Sequence, residues 1–542
     1  MTTASSRAPL ATVATAVIVV ALILSPPSPA RAQAPHARPQ QGDQAGGEKL
    51  LTPEPATWPV RKELVEEVRS VTHHEATIAG TTFPYTATAG TLQLTATDGK
   101  PKGSIFYVAY TRDGVDDPAS RPVTFCYNGG PGAASLWVHL GAFGPKRVHL
   151  GPEGFPEGPP PGHLEDNPDS LLDATDLVFI DPVSTGYSRA APGEDPSQFH
   201  GFENDVESVG EMIRLWVTRN DRWRSPKLLA GESYGTTRSA GLSGYLQDHF
   251  GMYINGIALI SAVLNWQTQV FADGNDLPYA LTLPTYTAAA WYHGKLPERL
   301  SGDLRGTLDE VEEFARGEYT HALMMGRDLP EDERAQVVHK LAEFTGLSEE
   351  YVEQTNLRIL DERFYKELLR DQGKIIGRLD ARFTASDRDS AGERPEFDPA
   401  GAAMDAYFVS LINDYLRTDL GFESDLPFRH LAGEVWPWNY HRGTYKETWT
   451  NRYLNVAETL RQAMTENPHL QVLVMSGYFD FATPYFSTDY TVDHMNLPPA
   501  LAGNIRTAYY KAGHMMYIKE SEHQKFRQDF LDLIRRATEA GE

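Results

Sequence analysis

Ser233 stands at the centre of Gly231-Glu232-Ser233-Tyr234-Gly235, directly after the apolar run Lys227 to Ala230 and directly before a stretch, Thr236 to Phe250, that reads as a helix. A serine hydroxyl is a weak nucleophile and attacks a carbonyl only where a base can reach it. A sharp strand-to-helix turn presents it in that way, and small residues two positions on either side permit the turn. The chemistry this predicts is acyl transfer through an ester on Ser233. The competing reading is a small-residue turn with an ordinary buried serine, and the flanking strand and helix weigh against it.

Such a serine needs an imidazole, and the imidazole needs a carboxylate to hold its tautomer and balance its charge. In doubly wound hydrolase sheets these follow the serine in the order acid, then histidine, each on a loop after a strand. Asp480 follows the apolar run Leu470 to Met475, and His514, preceded by Gly513, follows the run Ile505 to Tyr510. Asp489 and Asp493 stand close enough to compete for the acid on spacing alone. His494 and His523 lack both the Gly-His context and the position after a strand. The residue after the nucleophile, Tyr234, is placed to offer its backbone N–H to an oxyanion.

The elements that must carry these loops are legible as patterns. From His73 to Tyr110 apolar and polar residues alternate between turn residues, which predicts an antiparallel meander. Short apolar runs then recur at Val123 to Tyr127, Leu177 to Ile180, Leu228 to Ala230 and Ile257 to Ile260, the pattern of buried strands. Val206, Val209, Ile213 and Trp216 share one face of a helix around Asp205 to Thr218. A final amphipathic segment, Glu520 to Ala537, places Phe526, Phe530 and Ile534 on one face. The prediction is an α/β fold of the α/β-hydrolase type, a mostly parallel mixed sheet flanked by helices. It divides into 59–264 and 431–542 as core, with 265–430 inserted as a helical cap. Within that cap Pro330 with Glu331 to Glu333, and Ser348 with Glu349 and Glu350, mark helix starts.

Residues 1–32 carry Arg7, an apolar stretch and a small-residue site at Ala30-Arg31-Ala32, the layout of a secretory leader. The apolar run is shorter than the ~20 residues of a spanning helix, although a retained anchor is the alternative. Residues 33–58 are rich in Pro, Gln, Gly and Ala and read as a flexible linker. Roughly 480 residues remain for a large core and an insertion. The chain has 542 residues and a formal net charge of -24, which removal of Arg7 and Arg31 with the leader would carry to -26. That charge argues against nucleic acid or an anionic membrane as partner. Cys126 is the single cysteine, so no internal disulfide forms, and its apolar run predicts a buried inert thiol. No HExxH or clustered Cys/His spacing appears, so no metal or cofactor is implied.

Four segments in order, Asn128-Gly129-Gly130-Pro131-Gly132, Asp181-Pro182-Val183-Ser184-Thr185-Gly186-Tyr187-Ser188, the Ser233 elbow and Ala512-Gly513-His514-Met515, resemble the serine carboxypeptidases of peptidase family S10. That family includes carboxypeptidase Y and cathepsin A. The resemblance covers about 100–265 and 430–520 and is weak across the cap; it suggests a secreted, bacterial-type member. It implies Asp480 as the acid, since the family's aspartate follows a Gly-x-x just beyond a late strand. It implies Gly130 as second oxyanion donor, and Asn128, Gly129 and Glu232 as binders of a substrate's terminal carboxylate. Preorganised oxyanion donors are worth roughly 3 to 4 kcal/mol each. A buried glutamic acid with a raised pKa would suit a carboxylate partner.

The chain departs from the family pattern at three places. Ala142 stands where eukaryotic members carry a second glutamate, Tyr127 where they carry Trp, and Ala133 where they carry Cys. The expectation is therefore a serine carboxypeptidase that uses peptide or protein C-termini as substrate. An esterase or acyltransferase with the same triad is the alternative, favoured by Ala142, and a non-catalytic protein of the same fold is a third reading.

Overall fold

A computed structural model describes residues 67–441 and 453–539. The leader at 1–32 and the linker at 33–58 lie outside these residues. The meander is present as β1 (Arg69–Ile78), β2 (Thr81–Thr95) and β3 (Pro101–Arg112), paired antiparallel in sequence. The chain continues through β4 (Val123–Tyr127), a small hairpin β5 (Lys146–Val148) and β6 (Leu164–Asp166), then β7 (Asp176–Asp181) and the two-residue β8 (Arg189–Ala190). Helix α1 (Phe202–Arg219) leads to β9 (Lys227–Glu232), helix α2 (Tyr234–Phe250) and β10 (Gly256–Ile260). After a helix-rich stretch that also holds the hairpin β11 (Lys374–Ile376) and β12 (Thr384–Ser386), the sheet resumes with β13 (Gln471–Gly477) and β14 (Ile505–Tyr510). The sequence showed no signal for either short hairpin.

The main sheet runs in the order β1-β2-β3-β7-β4-β9-β10-β13-β14, with β8 on β3. Strands β7, β4, β9, β10, β13 and β14 pair in parallel, so their carboxyl ends share one edge. This is the α/β-hydrolase arrangement. The inner strands read as largely apolar runs because both faces are covered, whereas β14, at the end of the sheet, leaves Arg506 and Thr507 exposed. Cys126, Phe179, Leu228, Ala258 and Met475 face one core with Phe408 and Ile412 of helix Pro399–Thr418 and Phe526 and Phe530 of helix Glu520–Glu539. Phe125, Ile180, Leu229, Leu259 and Val474 face the other with Val209, Ile213 and Trp216 of α1 and Leu242 of α2. Cys126 is fully buried and its thiol pKa is driven up by desolvation.

A third core joins helices of the stretch 277–369 to Tyr478, Phe479, Phe481 and Tyr485, just beyond β13. Helix Glu331–Thr345 starts after Pro330 with three acids in its first turn, and the Ser348 hydroxyl caps the next helix by accepting from the Tyr351 N–H. Both starts coincide with the sequence signals. Aromatic packing thus anchors this stretch to the loop that carries Asp480.

Candidate active site

Strand β9 ends at Glu232 and α2 begins at Tyr234, two residues earlier than the sequence suggested, so Ser233 alone makes the turn. Its φ of 60° and ψ of -129° lie in a region that side-chain-bearing residues rarely occupy. The surrounding glycines are steric requirements. A Cβ on Gly231 would lie 2.2 Å from the Gly235 carbonyl oxygen and 2.6 Å from Ser239 Oγ, and one on Gly235 would lie 3.0 Å from the Tyr127 carbonyl oxygen. The Ser233 N–H donates to the Ile260 carbonyl at 2.9 Å, tying the elbow to the end of β10.

His514 and Asp480 lie on the loops just past β14 and β13, in the same row of strand ends. His514 Nδ1 is 2.8 Å from Asp480 Oδ2, both side chains being buried. Asp480 Oδ1 also accepts from the N–H groups of Ala482 and Thr483, and Oδ2 from the Thr483 hydroxyl at 2.6 Å. Burial works against the Asp480 charge, but His514 and the Thr483 donors outweigh it and hold the carboxyl below its ordinary range. Burial likewise pushes His514 down, and the Asp480 and Glu232 carboxyls more than offset it, so the imidazole is raised. The competitors lie elsewhere: Asp489 accepts from the Tyr509 hydroxyl, His494 meets the Tyr490 carbonyl, His523 the Ala142 carbonyl, and Asp493 is exposed at the end of helix Tyr485–Asp493.

The Asn128-Gly129-Gly130 loop leaves β4 beside the elbow. A Cβ on Gly129 would stand 2.4 Å from the Tyr234 nitrogen and 2.7 Å from the Glu232 carbonyl oxygen, so only glycine lets the two backbones approach. Gly130 has a φ of +95°. Tyr234 is the first residue of α2, and its N–H has no acceptor within the helix, which is a ready position for an anion. Asn128 Nδ2 donates to Glu232 Oε1 at 2.7 Å, and the Tyr517 hydroxyl donates to Oε2 at 2.7 Å. Burial pushes the Glu232 carboxyl up to about 7, although His514 and the two donors pull the other way.

Supports that the sequence did not disclose surround this row. Arg238 and Asp205 form a buried pair at 2.8 Å; Arg238 also donates to the Asn128 carbonyl at 2.8 Å and Tyr234 donates to Asp205 at 3.1 Å. Asp181, in the second family-like segment, accepts from the Ser135 N–H at 2.8 Å and so braces the chain beyond Gly130. The segment 378–382 joins the Asp480 and His514 loops: Phe481 N–H to the Arg378 carbonyl, Ala381 N–H to the Phe479 carbonyl, and Gly513 N–H to Asp380 Oδ2 at 3.1 Å. None of these contacts has a local pattern, because each joins segments far apart in the chain. A serine at an elbow, a polarised imidazole, helix-start and glycine N–H groups and a protonatable carboxyl together suit acyl transfer on a substrate that carries its own carboxylate.

The family model described as serine carboxypeptidase, Peptidase S10, matches residues 80–528. Among individual proteins, the chain is 28% identical to serine carboxypeptidase-like 44 of Arabidopsis thaliana over 212 residues, 38% of this chain and 39% of that one. It is 30% identical to serine carboxypeptidase-like 34 of the same plant over 148 residues, 27% of each chain. The chain thus matches well under half the length of these relatives. Among solved structures, the prohormone-processing carboxypeptidase Kex1(delta)p of Saccharomyces cerevisiae aligns over 83% of this chain and 91% of that one, at 14% identity and a TM-score of 0.49.

Proposed function

Because the chain belongs to the serine carboxypeptidase family, peptidase family S10, we propose that it is a serine-type carboxypeptidase that removes residues from the C-termini of peptides or proteins. Ser233 attacks the carbonyl carbon of the last peptide bond while His514 takes its proton. Asp480 holds the imidazole and balances its charge. The N–H groups of Gly130 and Tyr234 receive the oxyanion. His514 returns the proton to the leaving nitrogen, the terminal amino acid departs, and water repeats the sequence on the acyl-enzyme. Asn128, Gly129 and Glu232 receive the substrate's terminal carboxylate.

The observation that carries this reading is the buried carboxyl of Glu232, directly before the nucleophile and held by Asn128 at 2.7 Å. In its protonated form such a group donates to a carboxylate. An esterase or acyltransferase reading, which Ala142 favours, leaves Glu232 without a task. The test uses an N-blocked dipeptide acid, its amide and the corresponding N-blocked amino acid ester. Release of the free C-terminal amino acid, with fluorophosphonate labelling that disappears in Ser233→Ala, is the expected result. Cleavage of the ester alone would overturn the peptidase reading, and absence of labelling in folded protein would overturn both.

The leader pattern at 1–32 supports export, and among the described residues no helix is long and apolar enough to cross a membrane. The third core, which joins helices of the stretch 277–369 to residues just beyond β13, supports a role for that stretch as a cover that shapes the substrate cleft. Arg378, exposed on segment 378–382, hydrogen-bonds through its carbonyl to the Phe481 N–H of the Asp480 loop and carries a cation close enough to act on His514.

A further inference from the structure

We propose that Tyr517 is the positioning residue of the carboxylate-reading acid: its phenol, in place of any second carboxyl, orients Glu232 and leaves the reading site with a single titrating proton. This rests on the carboxypeptidase reading and adds to it a residue and a pH law.

Tyr517 lies three residues past His514, in the short turn Met516–Ile518, with its ring buried. The ring reaches Glu232 across the π-helical turn Val138–Phe143. A Cβ on Gly141 would stand 2.5 Å from Tyr517 Cε2, so the glycine is what admits the ring. The phenol donates to Glu232 Oε2, Asn128 donates to Oε1, and Asn128 Oδ1 accepts from the Val138 N–H at 3.1 Å. Both oxygens of the carboxyl are therefore held by groups that are themselves fixed. Ala142, beside Gly141, brings only a methyl group, and its carbonyl is taken by Asn167 Nδ2 and His523 Nε2. Among the described residues no second carboxyl is hydrogen-bonded to Glu232.

A pair of carboxyls sharing a site loses two protons in coupled steps. A phenol does not behave in this way. Burial, together with the neighbouring Glu232 charge, drives the Tyr517 hydroxyl well above its ordinary range, so it stays a donor at every working pH. The groups facing Glu232 are His514 and Asp480 from the last two strand loops, Asn128 from the loop after β4, and Tyr517. Glu232 is thus neutral below about 7 and charged above it. Neutral, it donates to a substrate carboxylate; ionised, it repels one. Affinity for C-terminal acids is present below that value and lost above it, along a one-proton limb.

A buried tyrosine needs a hydrogen-bond partner in any fold, and a merely structural Tyr517 would leave that limb in place when changed to Phe. The test measures kcat and KM for a blocked dipeptide acid and a blocked amino acid ester from pH 5 to 9, in wild type, Tyr517→Phe, Glu232→Gln and the double variant. In wild type the acid's KM should rise with a one-proton slope near pH 7 while the ester's does not. Tyr517→Phe removes a donor from the ionised form, so the limb moves to higher pH, and the preference for acid over ester falls about tenfold, the scale of a hydrogen bond to a charged group. In the Glu232→Gln background the same change should alter that preference less than about twofold, because Tyr517 acts through Glu232. A wild type that cleaves only the ester overturns the carboxypeptidase reading. A wild type that prefers the acid, with a limb and preference untouched in Tyr517→Phe, or a two-proton limb, overturns only the role of Tyr517. Equal effects in both backgrounds, or thermal unfolding of Tyr517→Phe at the assay temperature, reduce Tyr517 to a packing residue.

Discussion

The backbone N–H of His514 donates to the carbonyl of Leu379 at 2.7 Å, so the histidine loop is hung from segment 378–382 as well as from the strand that precedes it. Beside it, Asp380 accepts from the Gly513 N–H and pairs with the buried Arg382 at 2.6 Å. A Cβ on Gly513 would lie 2.4 Å from Asp380 Cβ, so the contact leaves no slack. Segment 378–382 is thus part of the frame that holds the His514 loop.

Asp380→Asn keeps the size of the side chain but weakens the bond to Gly513 and the tie to Arg382. We expect kcat to fall about tenfold for acid and ester substrates alike with KM little changed, since an angstrom-scale misplacement of the base costs up to about a hundredfold. Steady-state kinetics on both substrates checks this; a change confined to KM for the acid would argue that 378–382 binds substrate and does not hold the base.

Asp480→Asn should lower kcat by about four orders of magnitude while the fold persists, because the amide presents the wrong hydrogen-bond partner to His514 Nδ1. The rate of fluorophosphonate labelling of Ser233 should fall with it. Labelling at the wild-type rate would assign the orienting task to another carboxyl.

Asp205→Ala should destabilise the protein by about 3 to 5 kcal/mol, because it strands the buried Arg238 charge that also braces Asn128. Denaturant unfolding measures it. The double change Asp205→Leu with Arg238→Met should recover most of that loss, and activity should remain low in both, since Tyr234 and Asn128 lose their supports.

Glu232 also marks the stability of the folded protein. Its carboxyl is raised in the folded chain to about 7 from an unfolded value near 4.5. Between those values the folded state holds a proton that the unfolded state has lost, so its contribution is present below about 4.5 and is lost as pH rises through 7. Replacement by Gln removes this dependence. The stability difference between Glu232→Gln and wild type should shift in favour of the variant by on the order of 3 kcal/mol between pH 4 and pH 8. Urea unfolding at the two pH values checks it, and a constant difference would mean that folding leaves the Glu232 carboxyl at its unfolded value.

Much of the fold was legible because a strand buried on both faces must be apolar at nearly every position, as Val123–Tyr127 is apart from Thr124. The elbow was legible because Gly231 is forced by the backbone of Gly235 within the same turn, while Gly235 is forced by the distant carbonyls of Tyr127 and Asn128, and both requirements leave glycine in a fixed spacing about Ser233. Asp480 was separable from Asp489 only through the family's Gly-x-x spacing, since both follow β13; in space one meets His514 and the other Tyr509. Tyr517 and Asp380 left no signal. Their partners lie 285 and 133 residues away along the chain, and no periodicity or propensity encodes such a meeting. The short hairpins Lys146–Asp166 and Lys374–Ser386 escaped because three-residue strands carry too few alternations to stand out.

The order of strands in the sheet also sets a schedule. Ser233 lies before the middle of the sequence, Asp480 follows β13, and His514 comes only after β14, the last strand among the described residues. Contacts between such distant segments form slowly, since each must first close a long loop. On the carboxypeptidase reading, a chain that has folded its serine, its glycine loop and its acid but has not yet docked β14 and the His514 loop behind it is inert, and hydrolysis waits for that last contact.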